Sequence, residues 1–220
     1  MYSKFFKRFA DVVFSLIILA VFGIFMALIA IAIKIDSKGP VIFRQQRIGK
    51  NGRVFTIYKF RTMCVGAENQ GSGVYSDKND KRVTRVGKLL RASSLDELPQ
   101  IFNILRGEMS FIGPRPPLTY HPWSYSEYTE EQKEMFSVRP GITGLAQISG
   151  RKNVEWNKRI EINLYYIHNI SFLTDVKIAL KTIFKVAKNS DNENVAATVT
   201  RKEQATVPKE EREKMNLDVT

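Results

Sequence analysis

Residues 15–33 read "SLIILAVFGIFMALIAIAI", and this stretch decides what kind of fold the chain can have. The uncharged run begins at Val12 and covers 22 residues. A helix of that length rises ~33 Å, about the thickness of a bilayer's hydrocarbon core. The run is longer than the apolar part of a secretory signal, and no small-residue cleavage site follows it. It reads as a retained membrane anchor whose direction is open. Lys4, Lys7 and Arg8 precede it, and Lys34, Lys38, Arg44 and Arg47 follow. Basic flanks mark the cytoplasmic side, and here both are basic. A spanning helix would leave one flank outside, whereas a re-entrant helix keeps both inside. Backbone that turns at membrane depth must have its polar groups satisfied. Gly23 is a natural bend, although glycine is also common in spanning helices.

The whole chain has 220 residues and a net charge of +12, enough for one cored domain with extras. Such a surface attracts phosphate, in nucleic acid, anionic lipid or a phosphorylated substrate. The anchor and the lack of any recognition motif argue against nucleic acid. A single cysteine, Cys64, excludes an internal disulfide, and His121 and His168 do not make a zinc site.

Downstream, "VIFRQQRI" and "RVFTIYKF" flank "GKNG", which predicts a β-hairpin turning at Asn51-Gly52. Residues 64–82 read as a long polar loop over a site. "VTRVGKLLRASSLDELPQIFNILRGEMSFIG" predicts two short helices broken at "ASS". Pro99 must lie in the first turn of the second, which puts that helix start at residues 94–96. "GPRPPLTYHPW" and "RPGITGLAQISGR" read as rigid loops, with a short polar helix between them. Residues 172–187 predict an amphipathic helix. Phe172, Leu173, Val176, Leu180, Ile183, Phe184 and Ala187 form one face, and Lys177, Lys181, Lys185 and Lys188 line another. That face could pack on a core or lie on an anionic membrane.

The best candidate for chemistry is "SSLDELPQ". Asp96 and Glu97 have a plain structural explanation, because Ser94 and Glu97 fit a capping box and acids favour a helix N-terminus. Their surroundings argue for more. Lys88 and Arg91 come just before, and Arg115, Arg139 and Arg151 sit in glycine- and proline-rich loops suited to forked phosphate contacts. Carboxylates beside such a cluster suggest a Mg²⁺-dependent phosphoryl site. A carboxylate can also be the nucleophile in phosphoryl transfer.

The runs "IYKFRTM", "SLDELPQIFNILRGEMSFIGPRP", "VRPGITGLAQISGR" and "YYIHNISFLTDVKI", in that order, closely resemble the bacterial sugar transferase family. These are small monotopic polyprenol-phosphate phosphoglycosyl transferases, and the resemblance covers about residues 4–188. It implies transfer of a sugar 1-phosphate from a UDP-sugar to undecaprenyl phosphate with release of UMP, at the start of capsule, exopolysaccharide or other glycan synthesis. It implies that Asp96 is the nucleophile of an aspartyl-phosphosugar intermediate, with Glu97 assisting through Mg²⁺ or by positioning Asp96. Arg115 matches the family's Pro-Arg-Pro loop and would hold phosphate. Lys59, Arg91, Arg139 and Arg151 match basic family positions.

The fold so implied is α+β. A re-entrant membrane helix (residues 1–38) precedes a small, mostly helical catalytic domain with a β-hairpin and interfacial helices (39–188) and a polar, disordered tail (189–220). The expected place is the cytoplasmic face of the bacterial inner membrane, against anionic lipid; self-association is left open. Two positions depart from the family. Gly23-Ile24 stands where Ser-Pro is usual at the bend, and Asn163 where Asp is frequent. A membrane-anchored basic module without catalysis is the competing reading.

Overall fold

A computed structural model describes residues 2–67, 80–149 and 155–187. Arg151, Lys188, most of the polar loop and the tail lie outside the described residues. A short π-helical turn (Tyr2–Phe6) leads into α1 (Lys7–Asp36), which is helical without interruption through Gly23. α1 is apolar and long enough to cross a membrane. Its middle is bare: Leu16, Ile17, Val21, Phe22, Ile24, Phe25 and Leu28 are all exposed.

Both ends of α1 rest on the remaining chain. At the start, Lys7 donates to Asp175, and Arg8 donates through Nη2 to Leu105 O at 2.9 Å. Asp11 accepts from Ser110 Oγ and Phe111 N, each at 3.1 Å. At the far end Ile29 and Ile33 pack in one apolar cluster with Phe60 and Leu90.

β1 (Ile42–Ile48) and β2 (Val54–Phe60) pair antiparallel, from Ile42 opposite Phe60 to Ile48 opposite Val54. The turn between them holds Asn51 at φ 54° and Gly52 at φ 75°, backbone that Asn and Gly adopt at least cost. Phe55 and Ile57 point inward onto Ile104 and Met109. α2 (Arg85–Ser93) follows, started by Thr84, whose Oγ1 accepts from Gly87 N. It ends at Ser94 in the left-handed conformation, φ 58°.

A 3-10 turn (Leu95–Glu97) then precedes α3 (Gln100–Leu105), with Pro99 at the N-cap position. α3 therefore starts later than expected. Proline has no N–H to give, so the helix's hydrogen bonding takes over only after it.

Two short segments depart from the sequence reading. Ser110–Ile112 is a strand, β3, and the "RPGITGLAQ" loop contains a second strand, β4 (Gly141–Thr143), parallel to it. α4 (Glu130–Lys133) lies between the two strands in sequence, and α5 (Leu145–Ile148) follows β4. At the ends of the paired strands the backbones come so close that only glycine fits. A methyl on Gly141 would stand 2.1 Å from Gly113 N, and one on Gly144 2.1 Å from Gly113 O. This contact fixes the root of the loop that carries Arg115.

α6 (Trp156–His168) and α7 (Phe172–Ala187) close the domain. Ile112, Leu145, Ile162, Tyr166 and Ile178 form the core between them. α7 turns only Asp175 and Ile178 fully inward, while Phe172, Leu173, Leu180, Ile183 and Phe184 are more than half exposed. These exposed side chains do not pack on the core of this chain.

Candidate active site

The carboxylate pair sits on the 3-10 turn between α2 and α3. Ser94, in the left-handed conformation, makes no side-chain cap bond to the turn it precedes. Glu97 does not reach back to it. Its Oε1 instead accepts from Lys59 Nζ at 2.6 Å, with Arg115 Nη1 at 3.7 Å. The capping box between Ser94 and Glu97 is therefore not formed.

Lys59 lies near the end of β2 and faces both acids, with Asp96 Oδ2 3.9 Å away. Arg91, in the last turn of α2, is held by Nε donating to Thr62 Oγ1 at 2.9 Å. Its charge acts on Asp96, as do those of Lys59 and Arg115. Arg115 projects from the Pro-Arg-Pro loop and is the most exposed of these cations, with 42 % of its side chain accessible. Lys59, Arg91 and Arg115 thus converge from three separate segments on one pair of acids.

The electrostatics are opposed. Burial is the main influence on Asp96 and pushes its pKa up, and the negative charge of Glu97 adds to this. Lys59, Arg91 and Arg115 pull it down without cancelling the rise. Burial likewise lowers the pKa of Arg91, countered by Asp96 and Asp80. An arginine remains charged at neutral pH despite such a shift.

This arrangement offers an acid that is only partly solvated, aimed among forked cations. A carboxylate so placed can attack phosphorus while the cations carry the developing charge. Asp96 and Glu97 could hold a divalent cation only together with oxygens of a ligand. No cluster of three or more His, Cys, Asp or Glu side chains suited to a metal occurs among the described residues.

Arg139 is placed differently. Its Nε donates to Gly107 O at 2.7 Å, beside Arg8 at the C-terminal end of α3. It is not among the charges acting on Asp96. Arg151 lies outside the described residues. Sequence reasoning missed Thr62, which orients Arg91. Its signal was its place in "KFRTM", directly past the strand that delivers Lys59.

The family model for bacterial sugar transferases matches residues 2–189. A UDP-glucose:undecaprenyl-phosphate glucose-1-phosphate transferase of Klebsiella pneumoniae is 46 % identical over 185 residues, covering 82 % of this chain and 40 % of its own. A transferase of the same description from Caulobacter vibrioides is 44 % identical over 182 residues, covering 80 % of this chain and 68 % of its own. The UDP-N-acetylgalactosamine-undecaprenyl-phosphate N-acetylgalactosaminephosphotransferase of Aeromonas hydrophila is 42 % identical over 182 residues, covering 81 % and 43 %. The chain spans about two fifths of the length of the Klebsiella and Aeromonas relatives. With the family model matching from the first turn of the anchor to the end of α7, the chain belongs to the bacterial sugar transferase family.

Proposed function

We propose that this chain transfers a sugar 1-phosphate from a UDP-sugar to undecaprenyl phosphate, in two steps through Asp96. The observation that carries the reading is the half-buried Asp96, faced by Lys59, Arg91 and Arg115 on a turn whose Ser94 makes no side-chain cap. In the first step an Asp96 carboxylate oxygen attacks the sugar-bearing phosphorus. The bond from that phosphorus to the bridging oxygen breaks, and UMP leaves with the electron pair. In the second step a phosphate oxygen of the lipid attacks the same phosphorus and Asp96 leaves as carboxylate. The product is undecaprenyl-diphosphate-sugar, with the sugar–oxygen bond intact throughout.

Lys59 holds Glu97 in place and, with Arg91 and Arg115, carries negative charge on the diphosphate. Mg²⁺ held by Asp96, Glu97 and donor phosphates would offset the remaining charge, and the paired carboxylates suit its preference for one or two acids plus phosphate. The donor is soluble and the acceptor confined to the headgroup level, so one covalently loaded site serves both in turn.

The membrane arrangement follows the same reading. Both ends of α1 dock on one domain while its apolar middle stays exposed, which supports an anchor with both flanks on the domain's side of the bilayer, although the helix itself runs unbroken through Gly23. The exposed apolar face of α7 with Lys177, Lys181 and Lys185 suits an anionic bilayer surface. Tyr2 meets Phe172 ring to ring at 6.0 Å, so this face continues into the anchor.

The test is UMP release from a panel of UDP-sugars with undecaprenyl phosphate. Asp96→Asn should abolish it while the protein stays membrane-bound. Full release by that variant would overturn the mechanism. For topology, single cysteines at Ser3 and Lys38 in a Cys64→Ser background should both label only from the cytoplasmic side. Labelling of one from outside would show a spanning helix.

A further inference from the structure

The last turn of α1 is fastened to the domain at two points. The first is Arg61, just past β2 and only 5 % exposed. Its Nε donates to Pro40 O, its Nη1 to Ser37 Oγ at 2.8 Å and Met63 O at 3.4 Å, and its Nη2 to Ser37 O at 2.9 Å. Ser37 is the C-cap of α1, so the guanidinium meets the negative end of that helix's dipole. The second is Asp36, whose Oδ2 accepts from Val86 N at 3.0 Å in the first turn of α2. An acid suits a helix N-terminus, so both fastenings are charge-matched.

The two segments gripped are the end of β2 and the start of α2. They are the segments that deliver cations to the carboxylate pair. Lys59 stands two residues before Arg61, and Arg91 five residues after Val86. Ile29 and Ile33 fill the space beneath, against Phe60 and Leu90. A buried guanidinium held by several acceptors is a stiff joint, since its planar fork allows few alternative geometries.

We propose that Arg61, with Asp36, is a positioning joint that sets the height of the carboxylate pair above the bilayer, and so serves the lipid-accepting step rather than the donor step. The inference rests on the two-step reading above. A soluble donor reaches the site at any height. The phosphate of a lipid acceptor lies in the headgroup plane, so its attack on phosphorus depends on how deep the site is held. A misplacement of about 1 Å can cost ~10²-fold in rate.

The experiment uses the full chain in lipid nanodiscs, with Arg61→Met, Arg61→Lys and Asp36→Ala. UMP released before any acceptor is added reports the donor step. Transfer to undecaprenyl phosphate in the disc reports the lipid step. Lys59 and Arg91 keep their own bonds to Glu97 and Thr62, so Arg61→Met and Asp36→Ala should lose ~10²-fold in transfer and far less in the UMP burst. A short-chain, detergent-soluble polyprenyl phosphate should restore the transfer, and Arg61→Lys should recover part of it. Equal loss in both steps, or no loss in either, would overturn the joint. If Arg61→Met does not fold, Asp36→Ala decides the question by the same readings. A wild-type protein without a burst would instead overturn the two-step reading. The ratio of long-chain to short-chain turnover would then still judge the joint, and an unchanged ratio would refute it.

Discussion

Gly87→Ala adds one methyl at the tightest approach between α2 and the end of β2. That methyl would stand 2.1 Å from Thr62 O and 2.7 Å from Thr62 C, where ordinary contact begins at 3.4 Å. Thr62 O is not free to yield, because it accepts from Thr84 N at 3.0 Å. The helix must therefore withdraw by about 1.3 Å, the difference between 3.4 and 2.1 Å. Arg91 rides on that helix, and its 2.9 Å bond to Thr62 Oγ1 would open beyond hydrogen-bond reach. Overpacking costs ~1–3 kcal/mol, and a lost hydrogen bond from a charged donor ~1.5–3 kcal/mol. Taking ~3 kcal/mol in all, the melting midpoint should fall by roughly 6–12 °C for a domain of this size. Turnover should fall ~10²-fold as Arg91 leaves its place opposite Asp96. Thermal melting of the purified protein and UMP release measure the two effects. A variant that melts and turns over like wild type would refute the close approach. A large melting shift with full turnover would refute the role given to Arg91.

Three further outcomes follow from the same geometry. Asp96 holds its proton to higher pH in the folded chain than in the unfolded one, mainly through burial. Its contribution to stability therefore falls as pH rises from the ordinary carboxylate range, about 4, through the raised value, and is least above it. Asp96→Asn should melt above wild type at pH 7 and lose that advantage below about pH 4; equal melting at both would contradict the shift. Arg115→Ala should lower turnover by ~10²-fold, as loss of a charge-stabilising donor does, whereas Arg139→Ala should mainly lower the melting midpoint; the reverse order would reassign the two. A dye on a cysteine replacing Leu180, in the Cys64→Ser background, should report an apolar setting in anionic vesicles, and a water-like signal there would remove α7 from the bilayer surface.

Much of this arrangement could be read from residue order. The anchor shows in its length and lack of charge. The acids stand out because arginine-rich loops surround them in sequence, and Lys59, Arg91 and Arg115 do converge on them. Other features carried no such mark. β3 and β4 are three residues each, too short for any alternation to register, and they are held by glycine backbones in contact. The face of α7 has the same helical period whether it meets a core or a bilayer, so only the packing could show that this chain's core leaves it uncovered. Arg115 and Arg139 look alike as arginines next to proline, yet one faces Glu97 and the other binds Gly107 O. Lys59 and Arg61 are spaced to share a strand face. β2 stops at Phe60, so the first turns to the acids and the second to the end of α1.

The most direct test of the central claim is to mix the protein with a radiolabelled UDP-sugar and no lipid acceptor, then quench and map the label. The two-step account predicts one UMP released per active site and sugar phosphate bound to the peptide bearing Asp96, discharged on adding undecaprenyl phosphate. No UMP before acceptor is added, or a label that persists in Asp96→Asn, would contradict it.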